Sequence, residues 1–167
     1  MPAPVFATGD VPTAAQVNSW FVNVLVAYKT ADESVTSSTT FQDDDHLTVA
    51  VEANCVYVLE MVLSYDALAA GDLKTQFVMP AGATVVGAAL GLTTTAAATT
   101  DDYTTSWVGL ANVGGVGAGS TQAVYARGLF TTSGTAGTLK LQWAQTVSSA
   151  TATRIFTGSY MLLRRVA

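Results

Sequence analysis

The chain has 167 residues, 50% of them hydrophobic and only 11% charged, with a formal net charge of −5. That length suits one domain with a real core. The acidic balance, without a basic stripe, argues against direct nucleic-acid binding. No apolar run approaches the ~18 residues that a membrane-spanning helix needs.

Ordinary soluble domains carry roughly 25% charged residues. A chain this poor in charge is expected to have part of its surface covered by other chains. The opening "MPAPVFATGD" has neither a basic n-region nor an apolar h-region, so no secretory leader is expected and synthesis in a cytoplasm follows. The one cysteine, Cys55, allows no intrachain disulfide.

The first predicted element is a helix. Thr13 and Gln16 form a capping box, with Pro12 in front of it. From Ala14 onward, Val17, Trp20, Phe21, Val24, Leu25 and Tyr28 recur at helical spacing and share one face. Val22 and Val26 add a second apolar flank, so the helix is expected to be covered on more than one side. Two readings stand: a cap on the end of a sandwich, or a docking element for a larger assembly. We take residues 1–30 as an N-terminal arm with a docking helix, its interface formed by those six residues. Residues 31–167 are taken as the β-domain.

"KTADESVTSSTT" (29–40) is polar and without period, and reads as a linker. "HLTVAVEA" alternates at period two and reads as a strand with one buried face. "CVYVLEMVLSY" is apolar on both faces, which places it mid-sheet or at a subunit contact. "DLKTQFVM" and "TVVGAALGL" are further strands around the turn "PAGAT". The small polar stretch 93–102 reads as an exposed loop, "YTTSWVGLANV" as a strand, and "GGVGAGST" (114–121) as a flexible glycine loop. "QAVYARGLFTT", "TLKLQWAQTV" and "TRIFTGSYMLLRRV" read as three strands split by "SGTAG" and "SSAT". About eight or nine strands at this spacing predict an all-β fold, a single antiparallel β-sandwich of jelly-roll type with one short N-terminal amphipathic helix.

Catalytic signals are weak. "QDDDH" (42–46) groups three carboxylates and the one histidine, but neighbours on a strand face opposite ways and a calcium loop wants alternating oxygens. It reads as a solvated turn at a strand start. The glycine run lacks the Gly-Lys-Ser/Thr ending of a phosphate loop. Asp101 and Asp102 offer no specific glycosidase dyad, and no G-x-S-x-G elbow accompanies His46. Tyr57, Tyr65, Trp107, Tyr125, Trp143 and Tyr160 are candidates for a carbohydrate-stacking surface, with core or intersubunit packing the plainer reading. No catalytic residue, metal site or cofactor is expected.

The opening "ATGDVPTAAQVNSWFVN" resembles small tailed-bacteriophage virion proteins, which begin with a "G-x-x-x-T-A-x-x-x-N" element matched by Gly9, Thr13, Ala14 and Asn18. "KTADESVTSSTTFQDDDHLTVAVEANCVY" and the closing "AGTLKLQWAQTVSSATATRIFTGSYMLLRRVA" resemble the same group. The resemblance implies a virion structural protein without catalytic machinery, assembled in the host cytoplasm. The resemblance does not choose the component: we take a capsid decoration protein on the outer shell as the first reading, and a tail-associated fibre or host-recognition protein as the alternative. The implied partners are copies of itself, as a homotrimer, and the major capsid protein or tail proteins.

Overall fold

The computed structural model describes residues 7–14, 16–17, 24–92, 94, 101–104 and 110–167. Twelve strands run through them: β1 (Val24–Tyr28), β2 (Glu33–Val35), β3 (Gln42–Val51), β4 (Val56–Asp66), β5 (Leu73–Val78), β6 (Thr84–Leu92), β7 (Asp101–Thr104), β8 (Leu110–Val113), β9 (Gln122–Thr131), β10 (Gly137–Gln145), β11 (Thr153–Ile155) and β12 (Tyr160–Arg165). They form two antiparallel sheets. The large sheet has the order β1-β12-β4-β9-β6-β7, with β11 joining β4 to β2, and the small sheet the order β3-β10-β5-β8.

The fold is therefore all-β, as expected, with more strands than the eight or nine read from the sequence. From β3 to β6 the chain switches sheet at every connection, and it does so again from β8 to β10. One core cluster joins the inward faces of both sheets. Leu47, Val49 and Val51 of β3 with Leu139, Leu141 and Trp143 of β10 belong to it, as do Tyr57, Leu59, Met61 and Leu63 of β4 with Met161 and Leu163 of β12. Each set falls on alternate positions, because successive side chains of a strand point to opposite faces. Burying each of the large aliphatic side chains contributes about 1.5–3 kcal/mol.

The expected helix through Tyr28 is not what the chain forms there. The capping box is present: Thr13 N–H donates to Gln16 Oε1 at 2.8 Å, and Gln16 N–H to Thr13 Oγ1 at 3.2 Å. Val17 N–H bonds back to Thr13 C=O at 2.9 Å, closing one helical turn. Residues 18–23, with Trp20 and Phe21, lie outside the described residues. Val24–Tyr28 is strand β1, paired in register with β12 from Val24↔Arg164 to Tyr28↔Tyr160. The physical reason lies in "VLVAY", a short continuous apolar run with β-branched residues, which fits a strand as readily as a helix. Leu25 and Ala27 face the core, while Val24, Val26 and Tyr28 face out.

"QDDDH" is not a turn but the first half of β3. "TRIFTGSYMLLRRV" is not one strand: Gly158, at φ 89°, turns the chain between β11 and β12.

In the large sheet, Gly87 and Gly128 are register partners at a close approach of β6 and β9. A Cβ on Gly128 would lie 2.5 Å from Val86 O and 2.9 Å from Gly87 Cα, so both positions require glycine.

Candidate interaction surface

The outward face of the small sheet is polar. Asp43 and Gln142 are register partners, as are Gln142 and Gln76, and their side chains are hydrogen-bonded in a chain. Lys140 Nζ closes on Asp43 Oδ2 at 2.6 Å. The pull of Lys140, then the hydrogen bond from Gln142, holds the Asp43 carboxyl below its ordinary pKa. This is the wetted surface that an antiparallel sheet usually presents.

The outward face of the large sheet is different. The register places three rows across five strands, β1-β12-β4-β9-β6. The first is Tyr28, Tyr160, Val62, Tyr125 and Leu90, the second Val26, Leu162, Glu60, Arg127 and Ala88, and the third Val24, Arg164, Val58, Leu129 and Val86. Only Glu60, Arg127 and Arg164 of these are charged. The apolar members at the sides of the patch are well exposed, with Val86 at 71%, Tyr28 at 62%, Tyr125 at 57% and Leu129 at 49%, while Val58, Val62, Ala88, Tyr160 and Leu162 are half-buried. At ~4.8 Å between strands and ~3.4 Å per residue, the patch measures on the order of 400 Å² in projection, before side-chain relief. Exposed apolar patches of that size on soluble proteins are often functional. A groove of about 350 Å³ opens within it, lined by Val62, Leu90, Tyr125 and Tyr160 beside Glu60 and Arg127. Arg127 Nη2 meets Glu60 Oε1 at 2.7 Å near the middle of the patch.

The sequence-derived interface residues are placed as follows. Val24 and Tyr28 belong to this face, at opposite ends of β1. Leu25 packs inward against the core, Val17 is half-buried in the helical turn, and Trp20 and Phe21 lie outside the described residues. Of the aromatic candidates, Tyr57, Tyr65 and Trp143 are core residues, Trp107 lies outside the described residues, and Tyr125 and Tyr160 stand on the apolar face. The rows themselves were missed, although the two-sided apolar pattern of "CVYVLEMVLSY" pointed at a covered outer face.

One polar cluster does converge. Asp44 and His46, two apart on β3, share a face and meet Glu33 of β2, with one ligand-type atom from each within 4.8 Å of the others. Lys29 Nζ sits among them, 2.8 Å from Asp44 Oδ2 and 2.6 Å from Glu33 Oε1. His46 Nδ1 lies 3.1 Å from the same Glu33 oxygen. The Lys29 ammonium thus fills the cation position between the two carboxylates. The arrangement works as an internal ion-pair network that fastens the start of β3 to the chain after β1.

The glycine loop is tied down rather than free. Gly115 N–H donates to Asp72 Oδ1 and Gly119 N–H to Asp66 Oδ2, both at 2.9 Å, and Gly117 N–H to Ala67 C=O at 3.0 Å. Tyr65 Oη donates to Gly114 C=O at 2.7 Å. Backbone donors that would cradle a phosphate already face carboxylates. Burial pushes the Asp72 carboxyl above its ordinary pKa, against the pull of the Gly115 N–H. Burial, then the neighbouring Asp72 charge, also pushes the Tyr65 hydroxyl up.

No helix among the described residues is long and apolar enough to cross a membrane. A scan against protein-family models found no match, and a search of the curated proteins found none. Among solved structures, the tripod (BppUct-A-L) from the baseplate of bacteriophage Tuc2009 aligns with 99% of this chain and 75% of its own, at 12% identity and a TM-score of 0.38. A structure of infectious bursal disease virus, Gt strain, aligns with 99% of this chain and 45% of its own, at 14% identity and a TM-score of 0.20. At these TM-scores neither likeness bears on fold or function.

Proposed function

We propose that this protein is a non-catalytic structural subunit of a bacteriophage virion, a capsid decoration protein that binds the outer shell and stabilises it as a homo-oligomer. We read the sandwich as a jelly roll, because the small-sheet order β3-β10-β5-β8 and the large-sheet run β4-β9-β6-β7 are the orders that paired Greek keys produce. The observation that carries the proposal is the apolar outer face of the large sheet. A sandwich that keeps one face wet and the other oily is built to be covered on the oily side. Covering it removes apolar area at ~25 cal/mol per Å², before the costs of association are met. The resemblance of the opening and closing segments to phage virion proteins supports the class of assembly.

The N-terminal segment, residues 1–23, is the proposed arm toward the shell, with Trp20 and Phe21 its apolar anchors. Counting copies per purified particle by quantitative mass spectrometry tests the reading. A decoration protein is present in hundreds of copies. A handful of copies would replace it with the tail-associated reading, and absence from particles would end both.

A further inference from the structure

The apolar face carries its own charge complement. We propose that its occupant is a second copy of this chain, packed face to face about a two-fold axis that runs along the strands between β4 and β9. The inference rests on the reading of the chain as a self-associating subunit and names the surface and symmetry.

The geometry follows from the register. Such an axis lies in the plane between the two faces and sets β4 of one copy over β9 of the other, and β12 over β6. Residues of one row stay opposite residues of the same row. Glu60 then faces the second copy's Arg127, and Arg127 the second copy's Glu60, because the two residues are register partners. Val62 meets Tyr125, Val58 meets Leu129, and Tyr160 meets Leu90, apolar against apolar in each of these pairs. Arg164 falls opposite Val86 toward the patch edge, where its aliphatic stem covers the valine and its head reaches water.

A two-fold axis across the strands and over this same row would stack Glu60 on Glu60 and Arg127 on Arg127, which like-charge repulsion opposes. A foreign partner would have to bring the opposite charges in matching order, whereas a copy brings them by symmetry. In one copy alone the exposed Glu60–Arg127 pair contributes little. Between two faces the four charges alternate and lose water together, so removing one sign leaves the others buried and unmatched. Sheets that pack this way keep their strands roughly aligned, ~30° apart at a spacing of ~10 Å. The result is an even number of copies, in place of the trimer that the resemblance implies.

Sedimentation velocity on the full chain tests this with wild type, E60R, R127E and the double swap E60R/R127E. The wild type is expected to sediment as a dimer or a multiple of it. Each single reversal should weaken association at least tenfold, and the double swap should restore it to within a few-fold of wild type. L129K provides an independent disruption at an exposed position, and thermal melting checks that every variant is folded. A wild type that is monomeric at high concentration, a trimer, or single reversals that associate like wild type would each overturn the inference. Particle copy number separates the two readings. Abundant copies in virions with unchanged association of the variants sink this interface alone, whereas swap-sensitive dimers absent from virions sink only the virion role.

Discussion

Lys29 and Asp44 form an ion pair at 2.8 Å in which neither side chain reaches solvent. Asp44 is fully committed: its other oxygen accepts the backbone N–H groups of His46 at 3.0 Å and Leu47 at 2.8 Å. Glu33, the second partner of Lys29, also accepts the N–H of Asp45 at 3.0 Å. A buried pair of this kind is weak evidence for net stability, but breaking it from one side strands a charge. Lys29→Met should therefore destabilise the protein by about 3–5 kcal/mol in urea titrations. Adding Asp44→Asn, which removes the stranded charge, should recover part of that loss. A single substitution that leaves the unfolding midpoint unchanged would show that water enters the cluster.

The close approach of β6 and β9 gives a steric prediction. Gly128→Ala drives a Cβ to 2.5 Å from Val86 O, where a backbone neighbour has little room to yield. Strain of this kind is expected to cost about 1–3 kcal/mol. Gly134→Ala is the control, since nothing lies within 4 Å of the added atom, and its effect should be neutral or stabilising by up to ~1 kcal/mol. Equal melting temperatures for the two variants would mean that the strands separate freely at this point.

These features differ in how far the chain announces them. β6 was read from the sequence with its observed limits, because "TVVGAALGL" is a β-rich run between turn residues. The face of β4 was half-legible: apolar residues on both sides signalled a covered outer face, but not which strands lie beside it. The rows through Glu60 and Arg127 exist only once β1, β12, β4, β9 and β6 are in register, and register is a non-local property. The same holds for Lys29, read as the start of a polar linker and found buried against an acid fifteen positions on. At Val24, Leu25 and Tyr28 the helix and strand signals compete locally: at that length, spacings of three and one fit a helix while the valine-rich run fits a strand, and pairing with β12 decides between them.

Asp72 gives a pH prediction with a definite sign. Burial raises its folded pKa above the unfolded value. Its contribution is therefore favourable when the carboxyl is protonated, fully present below the unfolded pKa, and lost as pH rises through the folded pKa. Above the folded pKa the charged, buried carboxylate is a liability. Asp72→Asn keeps an oxygen for the Gly115 N–H and tolerates the positive φ of 47°. The variant is expected to melt at or above the wild-type temperature at pH 7. That advantage should shrink as pH falls through the carboxylate range and the wild type becomes protonated. Asp32 and Asp43, both held below the ordinary carboxylate pKa, act with the opposite sign and are common to both proteins. An advantage that grows toward acid pH would contradict the assignment.

Cys55 supplies a chemical clock for the same core. The residue is 1% exposed, and its backbone N–H donates to Thr132 Oγ1 at 2.9 Å. Thr132 Oγ1 in turn donates to Glu52 C=O at 2.7 Å, so one hydroxyl clasps the β3–β4 turn to the end of β9. Replacing Thr132 with valine keeps the shape, removes the donor and acceptor, and leaves a buried N–H unsatisfied, at about 1–3 kcal/mol. Because the thiol is sheltered, alkylation has to wait for opening of the sandwich. In the regime where opening and closing outpace the reagent, the labelling rate follows the population of the open form. Thr132→Val should then speed labelling of Cys55 by the factor that its loss of stability dictates, tenfold for each 1.4 kcal/mol. Measuring both quantities on one sample decides between global and local opening. Matched changes mean that the thiol is reached only when the whole sandwich opens. Labelling that accelerates far beyond the stability change would instead place a weak clasp at the β3–β4 turn, able to open by itself.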